Sequence, residues 1–326
     1  MSEKISASLA PMAGYTDSVF RKICGGFGAA FSTSEMISSV AMVHNDAKTA
    51  ALSRIQKNEP PVRLQIFGHD PEFMSTAAEM LLSGSFSGCD YAHKPCGIDI
   101  NMGCPVKKIV SSGDGSALMR DIPLAKRITA SVKEVCVRHG VPLSVKFRLG
   151  WNDSEINAPL FALAMAESGA DILTLHCRTR EQMYAPSARS EYCRTVRDVL
   201  DENGFSSVEL IGNGDISSAE DARRYISLGC SSVSVGRAAL YDPWVFKAIT
   251  SPDSYSPPTL NERIALISDY VTDVVALIGE ERGVLESRSR AAYLLHGIRG
   301  GAKVRDALNH ATTLDSFIEE LYKIRK

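Results

Sequence analysis

The sequence predicts an α/β protein in which a (β/α)8 TIM barrel is followed by a small C-terminal α-helical domain. Short apolar runs alternate with amphipathic segments along roughly the first 250 residues, the pattern of repeated βα units around a parallel sheet. Eight such runs are present, and eight strands in about 240 residues fit a closed barrel better than an open sheet. Beyond residue 258 only helical periodicity remains.

The pattern also gives the bounds of the elements. The predicted strands are residues 8–11, 30–34, 62–67, 98–101, 143–147, 172–176, 208–212 and 232–235. Predicted helices between them include residues 125–138, 159–168 and 219–228. Gly169 and Gly229 follow the last two, and glycine commonly ends a helix. The polar, proline-bearing segment 251–258 predicts a boundary between a barrel domain, residues 1–250, and a helical domain, residues 251–326.

Composition excludes several classes of protein. The 326 residues are 44% hydrophobic and 23% charged, which is typical of a globular chain. No apolar segment approaches the roughly 20 residues that span a bilayer, and no apolar signal core follows Met1, so we expect a cytoplasmic protein without membrane attachment. The net charge of −2 argues against RNA binding over the whole surface, so any RNA must bind a local basic patch.

The eight cysteines are scattered, and no pair has CxxC spacing. Without an export signal, reduced thiols are expected rather than disulfides. Structural zinc and iron–sulfur sites usually need such close pairs, so no metal site is predicted.

One cysteine stands out by its position. The fourth strand ends at Asn101, and Cys104 follows it, flanked by Gly103 and Pro105. The thiol is therefore expected at the carboxyl end of a strand, where parallel barrels keep their chemistry. Taken alone, a buried structural cysteine is the commoner alternative.

The other strand ends carry special residues as well. They include Pro11-Met12-Ala13-Gly14, Gln65, Lys146-Phe147-Arg148, His176 to Arg180, Asn213-Gly214-Asp215 and Gly236-Arg237. Glycine-rich turns after strands seven and eight are where barrels commonly hold a phosphate. Arg237 adds a bidentate donor there. Lys146 is costly in a barrel mouth without a partner, and a phosphate-bearing flavin would supply one.

The helical tail carries a basic segment. Residues 287–305 hold Arg288, Arg290, Arg299, Lys303 and Arg305 and no acidic residue. A solvated helix face is the ordinary interpretation of such a run.

The ordered set of motifs resembles the tRNA-dihydrouridine synthases. The motifs are residues 10–17, Asn101 to Pro105, residues 115–119, Lys146 to Trp151, His176 to Arg180, Asn213 to Ile216 and Gly236 to Ala239. The tail around residues 296–305 is most similar to the bacterial B branch of that family, so the resemblance covers nearly the whole chain.

The resemblance implies an FMN-containing enzyme that uses NADPH to reduce uridine in tRNA to 5,6-dihydrouridine. It implies hydride addition at C6 and a proton from Cys104 to C5. The FMN contacts it implies are Pro11, Met12, Ala13, Gln65, Lys146, His176, Asn213, Gly214, Asp215, Gly236 and Arg237. Asn101 would lie beside the uracil. Candidate tRNA contacts are Lys107, Lys108, Arg178, Arg180, Arg288, Arg290 and Arg299.

Two further expectations follow from the motif regions. The segment 106–113 is expected to be a mobile loop that carries the thiol, with Gly113 and Gly115 giving it freedom. Cys177 stands where family members often have glycine, and it is expected to pack beneath the flavin rather than act as a second acid.

Two other functions stay open at this stage. An FMN barrel could act on a free small molecule such as dihydroorotate or an enoate, but such an enzyme has no use for a basic helical tail. A tRNA-binding or folding factor could keep the barrel without its chemistry, but it would not need Cys104, Lys146 and Arg237 together. Protein partners and oligomeric state are not predicted.

Overall fold

The structure is a computed structural model that describes residues 5–325. One parallel sheet contains nine strands: β1 Ala7–Leu9, β2 Ser32–Thr33, β3 Ile37–Ser38, β4 Val62–Phe67, β5 Gly97–Met102, β6 Leu143–Arg148, β7 Ile172–His176, β8 Glu209–Asn213 and β9 Ser232–Val235. The strands pair in the order β2-β1-β9-β8-β7-β6-β5-β4-β3, and an additional β2–β4 pairing closes the ring. Because β2 and β3 both pair with β4 and occupy one position in the ring, the nine strands form the eight-stranded parallel barrel predicted from the sequence, which is confirmed.

Helices connect the strands and form the tail. They are α1 Ser18–Gly26, α2 Ser39–Val43, α3 Ala47–Leu52, α4 Pro71–Ser83, α5 Lys107–Val110, α6 Ile122–His139, α7 Ala158–Glu167, α8 Tyr192–Glu202, α9 Ala219–Ser227, α10 Arg237–Tyr241, α11 Val245–Thr250, α12 Leu260–Ile278, α13 Glu280–Leu294, α14 Gly301–Leu308 and α15 Leu314–Tyr322. Short 3₁₀ turns occupy Gly115–Arg120, Pro252–Ser254 and Lys323–Arg325. Predicted strands and helices mostly agree with these bounds within one or two residues, although α6 begins three residues earlier than expected.

The second barrel strand differs from its prediction. Residues 30–34 were expected to form one strand, but β2 and β3 are two short pieces, both paired with β4. Thr33 lies opposite Arg63 and Ile37 opposite Ile66, so residues 34–36 face only residues 64–65. One extra residue in a strand is a β-bulge, which bends the chain and redirects side chains. This bulge lies at Glu35, next to the barrel mouth.

The two faces of the barrel wall differ in polarity. Outward residues such as Leu64, Ile100 and Val145 are fully buried under the helices. Residues paired directly across a parallel ladder share a face, so the register aligns Gln65 with Asp99 on the opposite, inner face. The same inner face carries Ser144, Lys146, Thr174, Asn213 and Ser234. Barrel interiors are usually filled by branched aliphatic side chains, and a polar interior requires hydrogen-bond partners instead.

The tail has an apolar cluster of its own. Ile264, Val271, Leu294 and Phe317 belong to it, and all are buried. Helix α12 begins at a capping box formed by Thr259 with Glu262, which satisfies the first free N–H groups of the helix. The same helix gives Tyr270 and Val274 to the barrel cluster. Helix α12 therefore joins the two packed units.

Arg290 holds this junction together. Its guanidinium lies 3.7 Å from the centroid of the Phe20 ring and 5.7 Å from that of Tyr270. It also donates to the Tyr15 carbonyl and lies 3.6 Å from Asp17. The side chain is only 1% exposed. The prediction of Arg290 as an RNA contact is therefore corrected, because barrel residues cover the group that would have to reach a phosphate.

None of the helices within residues 5–325 is both long and apolar enough to cross a membrane. Over the same residues, no group of three or more His, Cys, Asp or Glu side chains is arranged to hold a metal ion.

The junction gives a stability prediction. Replacing Arg290 with Ala should lower the free energy of unfolding by about 2–3 kcal/mol, because the Tyr15 carbonyl and the Asp17 carboxylate lose their cationic partner. Arg290→Lys should recover only part of this, since an ammonium cannot stack flat on the rings. Urea titration measures the free energy of unfolding of both variants. Arg282→Ala, an exposed position on the same helix, should change stability by less than about 0.5 kcal/mol. Equal losses at the two positions would contradict this assignment.

Candidate active site

The carboxyl ends of the strands bring most of the predicted site residues to one mouth. Gln65 lies on β4, Asn101 on β5, Lys146 on β6, His176 on β7 and Asn213 on β8. The register pairs Asn101 with Lys146 and His176 with Asn213. The candidate cofactor and thiol positions therefore face a common space.

A line of hydrogen bonds runs from the barrel interior to the loop of residues 103–106, which carries Cys104 and is called the thiol loop below. Asp99 accepts from Gln65 Nε2 at 2.7 Å, and Gln65 Oε1 accepts from Asn101 Nδ2 at 2.9 Å. Asn101 Oδ1 in turn accepts the backbone N–H of Cys104 at 2.9 Å and that of Gly103 at 3.1 Å. Each amide has one orientation because its neighbour fixes which end donates. Asp99, to which the sequence analysis gave no role, therefore anchors the loop that carries Cys104.

Cys104 is half-buried, and the segment 115–116 packs against its backbone. Its carbonyl accepts from the Ser116 N–H at 3.2 Å and from Ser116 Oγ at 2.9 Å. Burial raises the pKa of the Cys104 thiol, while the nearby charges of Arg148 and Lys146 oppose the rise. The thiol is therefore protonated at neutral pH, the state that a proton donor needs.

The segment 106–113 contains a helical turn. Residues 107–110 form α5, whereas a mobile loop was expected. Gly113 and Gly115 have φ of 87° and 60°. A Cβ at Gly115 would lie 2.9 Å from the Cys104 carbonyl oxygen, so glycine is needed there for close packing on the thiol loop. Movement of this segment stays a prediction.

Arg148 is a site residue without an assigned role in the sequence analysis. Its Nε donates to the Gly103 carbonyl at 2.8 Å, and its Nη1 donates to Met183 at 2.9 Å and Thr179 at 3.1 Å. It therefore ties the thiol loop to the segment after β7. Burial lowers its pKa to about 10, so it is charged at neutral pH. The period of two on β6, which puts it on the face of Lys146, was the available signal.

The centre of the mouth is cationic and desolvated. Burial, with the neighbouring Arg148, lowers the pKa of Lys146 to about 8, and its ammonium donates to Asn213 Oδ1 at 3.2 Å. Asn213 is fixed by donating to the Ser234 carbonyl at 2.7 Å. Burial and the same cations hold the pKa of His176 well below its usual value, so its ring is neutral. This environment favours a ligand that brings negative charge or electron density.

Asp215 organises the arginines near β8 and β9. It accepts from Arg237 Nη2 at 3.0 Å, from the Ala188 N–H at 2.8 Å and from Arg178 at a short distance. Burial opposes its ionisation, but these donors hold its pKa below the usual value. Asp215 therefore orients Arg237, and its direct contact with FMN stays a prediction. The Arg178 side chain is 2% exposed, which corrects its prediction as an RNA contact at the surface.

The two glycines predicted at the phosphate site differ. Gly214 has φ of 127°, and a Cβ there would lie 2.8 Å from Ala188 Cβ, so it serves close packing. At Gly236 a Cβ would meet only Met12 Sδ at 3.7 Å and Ala10 Cβ at 3.9 Å. A side chain would therefore meet only ordinary van der Waals contacts at Gly236, which lies against Met12. Of the other predicted contacts in the loop after β1, Pro11 and Met12 are half-buried and Ala13 is exposed.

The remaining predicted RNA contacts differ in exposure. Lys107, Lys108 and Arg299 are exposed. Arg180 is half-buried, with its guanidinium 4.8 Å from the centroid of the Trp151 ring. Arg288 is also half-buried and donates to the Ala311 carbonyl at 2.7 Å. The exposed lysines beside the thiol loop and Arg299 on the tail are therefore the cations most open to a large anionic ligand.

Cys177 is fully buried. Its Sγ lies 3.5 Å from that of Cys193 on α8. This thiol contacts the helix layer, so it has a packing role and is not placed as a second acid.

Glu35 is a second site-adjacent group that the sequence analysis missed. The bulge between β2 and β3 brings its carboxylate to the backbone N–H groups of Gly14 and Tyr15. Burial, reinforced by the charge of Asp17, raises its pKa to about 7. No signal in the sequence indicated Glu35, because its position depends on the bulge between β2 and β3, which was not predicted.

These features define a class: an enzyme-type parallel barrel with a cationic mouth and a protonated thiol beside it. Residues 8–326 match the sequence model of the family described as Dihydrouridine synthase (Dus). The chain belongs to the dihydrouridine synthase family.

Individual proteins agree with this assignment. The chain is 33% identical over 309 residues to tRNA-dihydrouridine synthase B of Pasteurella multocida, covering 93% of this chain and 88% of that protein. It is 31% identical over 307 residues to a probable tRNA-dihydrouridine synthase of Rickettsia conorii, with 92% and 87% covered. Among solved structures, DHODH from Eimeria tenella in complex with ferulenol aligns with a TM-score of 0.54 at 12% identity, covering 80% and 81%. That likeness shows the barrel fold alone.

Glu35 gives a prediction on pH and stability. Its folded pKa of about 7 lies above the ordinary value of a glutamate, so the folded state binds the proton more tightly than the unfolded chain. The stability it contributes is present at low pH and is lost as pH rises through 7. Glu35→Gln keeps an acceptor for the backbone N–H groups. Its free energy of unfolding should exceed that of the wild type by about 1–2 kcal/mol at pH 8, and the difference should close by pH 5.

Thermal unfolding between pH 5 and 8 measures the difference. Glu209→Gln, at the exposed start of β8, should follow the wild type throughout. A Glu35→Gln profile parallel to that of the wild type would contradict the assigned burial effect.

Proposed function

We propose that the protein is a flavin-dependent tRNA-dihydrouridine synthase that reduces the C5=C6 bond of particular uridines in tRNA, with FMN as the bound cofactor and NADPH as reductant. Family membership and relatives named as tRNA-dihydrouridine synthases support the reaction. The half-buried, protonated Cys104 thiol, fixed beside a cationic mouth, is the observation that carries the proposal.

The residues of the mouth fit FMN. Gly236, which leaves its backbone without a side chain, precedes Arg237, which Asp215 holds in place, and a phosphate matches a guanidinium supported in this way. The half-buried ammonium of Lys146 suits an electron-rich ring edge. Met12 and Gln65 border the same mouth. When bound there and reduced by NADPH, FMN would supply the hydride that uracil gains at C6.

The chain's own chemistry is the delivery of one proton. Hydride addition at C6 leaves negative charge toward C5 and O4, and the neutral Cys104 thiol transfers its proton to C5. The product has gained one hydride and one proton, and the thiolate is reprotonated from solvent. Raised thiol pKa keeps the proton available, and the positive charges of Arg148 and Lys146 stabilise the thiolate that forms.

A tRNA substrate suits the surface around the mouth. A uridine in folded RNA must be extruded, which costs a few kcal/mol that contacts elsewhere must offset. Lys107 and Lys108 lie next to the thiol loop, and Arg180 with Trp151 offers a stacked cation beside the same mouth. A local basic surface of this kind allows RNA binding by a protein of net charge −2.

Replacing Cys104 with Ala should leave bound flavin and its reduction by NADPH unchanged but slow dihydrouridine formation in tRNA by about 10²–10⁴-fold, the usual contribution of a positioned acid. Single-turnover reduction of unmodified tRNA by the pre-reduced enzyme measures this rate. Cys89→Ala, at an exposed cysteine, should behave as wild type. Wild-type protein that binds FMN yet reduces dihydroorotate or an enoate and leaves tRNA unchanged would refute the proposed substrate.

Replacing Arg237 with Gln should weaken FMN binding by about 10–100-fold, because the charge-assisted bond to the phosphate is lost. Titration of the apoprotein by flavin fluorescence measures this dissociation constant. Arg224→Gln removes an exposed arginine on α9 and should leave FMN affinity unchanged. Unaltered affinity of the Arg237 variant would move the phosphate site elsewhere.

A further inference from the structure

Four aromatic rings form a continuous row between the barrel mouth and the helical tail. Tyr15 contacts Tyr293 edge to face, with ring centroids 5.3 Å apart. Tyr293 contacts Tyr241 at 5.1 Å, and Tyr241 contacts His296 at 5.1 Å, again edge to face. We call these four residues the aromatic row. It crosses from the loop after β1, through α13, to the end of α10.

The row starts at the candidate active site. Tyr15 lies three residues after Met12, and Tyr241 ends the helix that Arg237 begins. The position of Tyr15 is fixed, since its carbonyl accepts from the buried Arg290 and its hydroxyl lies 3.5 Å from that of Tyr293. These bonds fix the barrel end of the row within the loop that also carries Met12.

The far end of the row is open to solvent. Tyr241 is 42% exposed, and His296 is exposed as well. A cluster that only packed the junction would bury these rings, as Phe20 and Tyr270 are buried beside Arg290. Exposed aromatic groups in contact with one another mark a binding surface.

The charge beside the row selects its partner. Residues 287–305 contain no acidic side chain, and Arg299 and Lys303 of that segment are exposed close in sequence to His296. Aromatic rings next to cations that follow a backbone are the standard means of binding single-stranded nucleic acid, where bases stack and phosphates pair.

We propose that the aromatic row is a stacking platform for unpaired bases that flank the uridine being reduced. It rests on the proposed function in that the substrate is RNA. A strand that delivers its uridine to the mouth must continue away from it, and the row offers exposed ring surface along that path. Tyr241, exposed and in contact with rings on two sides, is the central element.

Truncation of Tyr241 tests the platform. Tyr241→Ala should raise the dissociation constant for unmodified tRNA by about tenfold, in line with the loss of one stacked base. The dependence of affinity on salt should keep its slope, because stacking releases no counterions, whereas loss of a phosphate contact would reduce it. Tyr241→Phe should bind as wild type, and Leu285→Ala, at an exposed apolar position on α13, should have no effect.

A tryptophan substitution tests direct contact. Tyr241→Trp adds an exposed indole to the two native tryptophans, Trp151 and Trp244. A base stacked on it should quench its fluorescence on titration with tRNA, beyond the change in the wild type. The dissociation constant from this signal should match that of the wild type within about threefold.

Four results would overturn the platform. Three of them are a Tyr241→Ala affinity for tRNA within twofold of wild type, a reduced salt slope in that variant, and no added quenching in Tyr241→Trp. A fall in the unfolding midpoint that accounts for the lost affinity would also overturn it, since the row would then be packing. If the wild type binds and reduces tRNA and the Tyr241 variants bind tRNA as the wild type does, the platform is refuted and the proposed function is not. Wild-type protein that neither binds nor reduces tRNA refutes the proposed function.

Discussion

The polar interior of the barrel is the constraint on which the site depends. A buried polar group without a partner costs about 1–3 kcal/mol, so an interior lined by Asp99, Gln65 and Asn101 is stable only when they satisfy one another. The line they form ends on the backbone N–H of Cys104. The hydrogen bonds that satisfy the buried polar groups of the interior therefore also position the thiol. A shift of one member would leave a donor or acceptor unpaired several residues away.

Charge in the mouth is unbalanced for a related reason. Arg148 and Arg178 are buried, Lys146 is half-buried beside them, and of these three cations Asp215 bonds only Arg178. Burial shifts the pKa of Lys146 and Arg148 downward, which records an energetic cost to the free protein. Proteins retain such costs at functional sites, where a ligand of opposite charge offsets them. The electrostatics of the mouth therefore favour a ligand that carries negative charge.

The sequence was sufficient for the barrel because its strands are short apolar runs, and alternation along β6 puts Lys146 and Arg148 on one face. It could not reveal the bulge at Glu35, because residues 32–38 have no regular alternation of apolar and polar side chains that one extra residue would interrupt. It also could not separate Arg290 from Arg299. Both belong to one basic run, and only the packing of Phe20 and Tyr270 against the first shows which is buried.

The loop of residues 12–17 couples the two packed units. The Tyr15 N–H donates to the Met12 carbonyl at 2.9 Å within the loop, the Glu35 carboxylate lies beside the backbone of Gly14 and Tyr15, and Arg290 of the tail donates to the Tyr15 carbonyl. Tyr270 of α12 donates to Asp17 at 3.0 Å, which holds the other end of the loop. Because Met12 of this loop borders the mouth, any displacement of the tail must either move the mouth or break these bonds. The tail is therefore part of the scaffold of the site as well as a surface beside it.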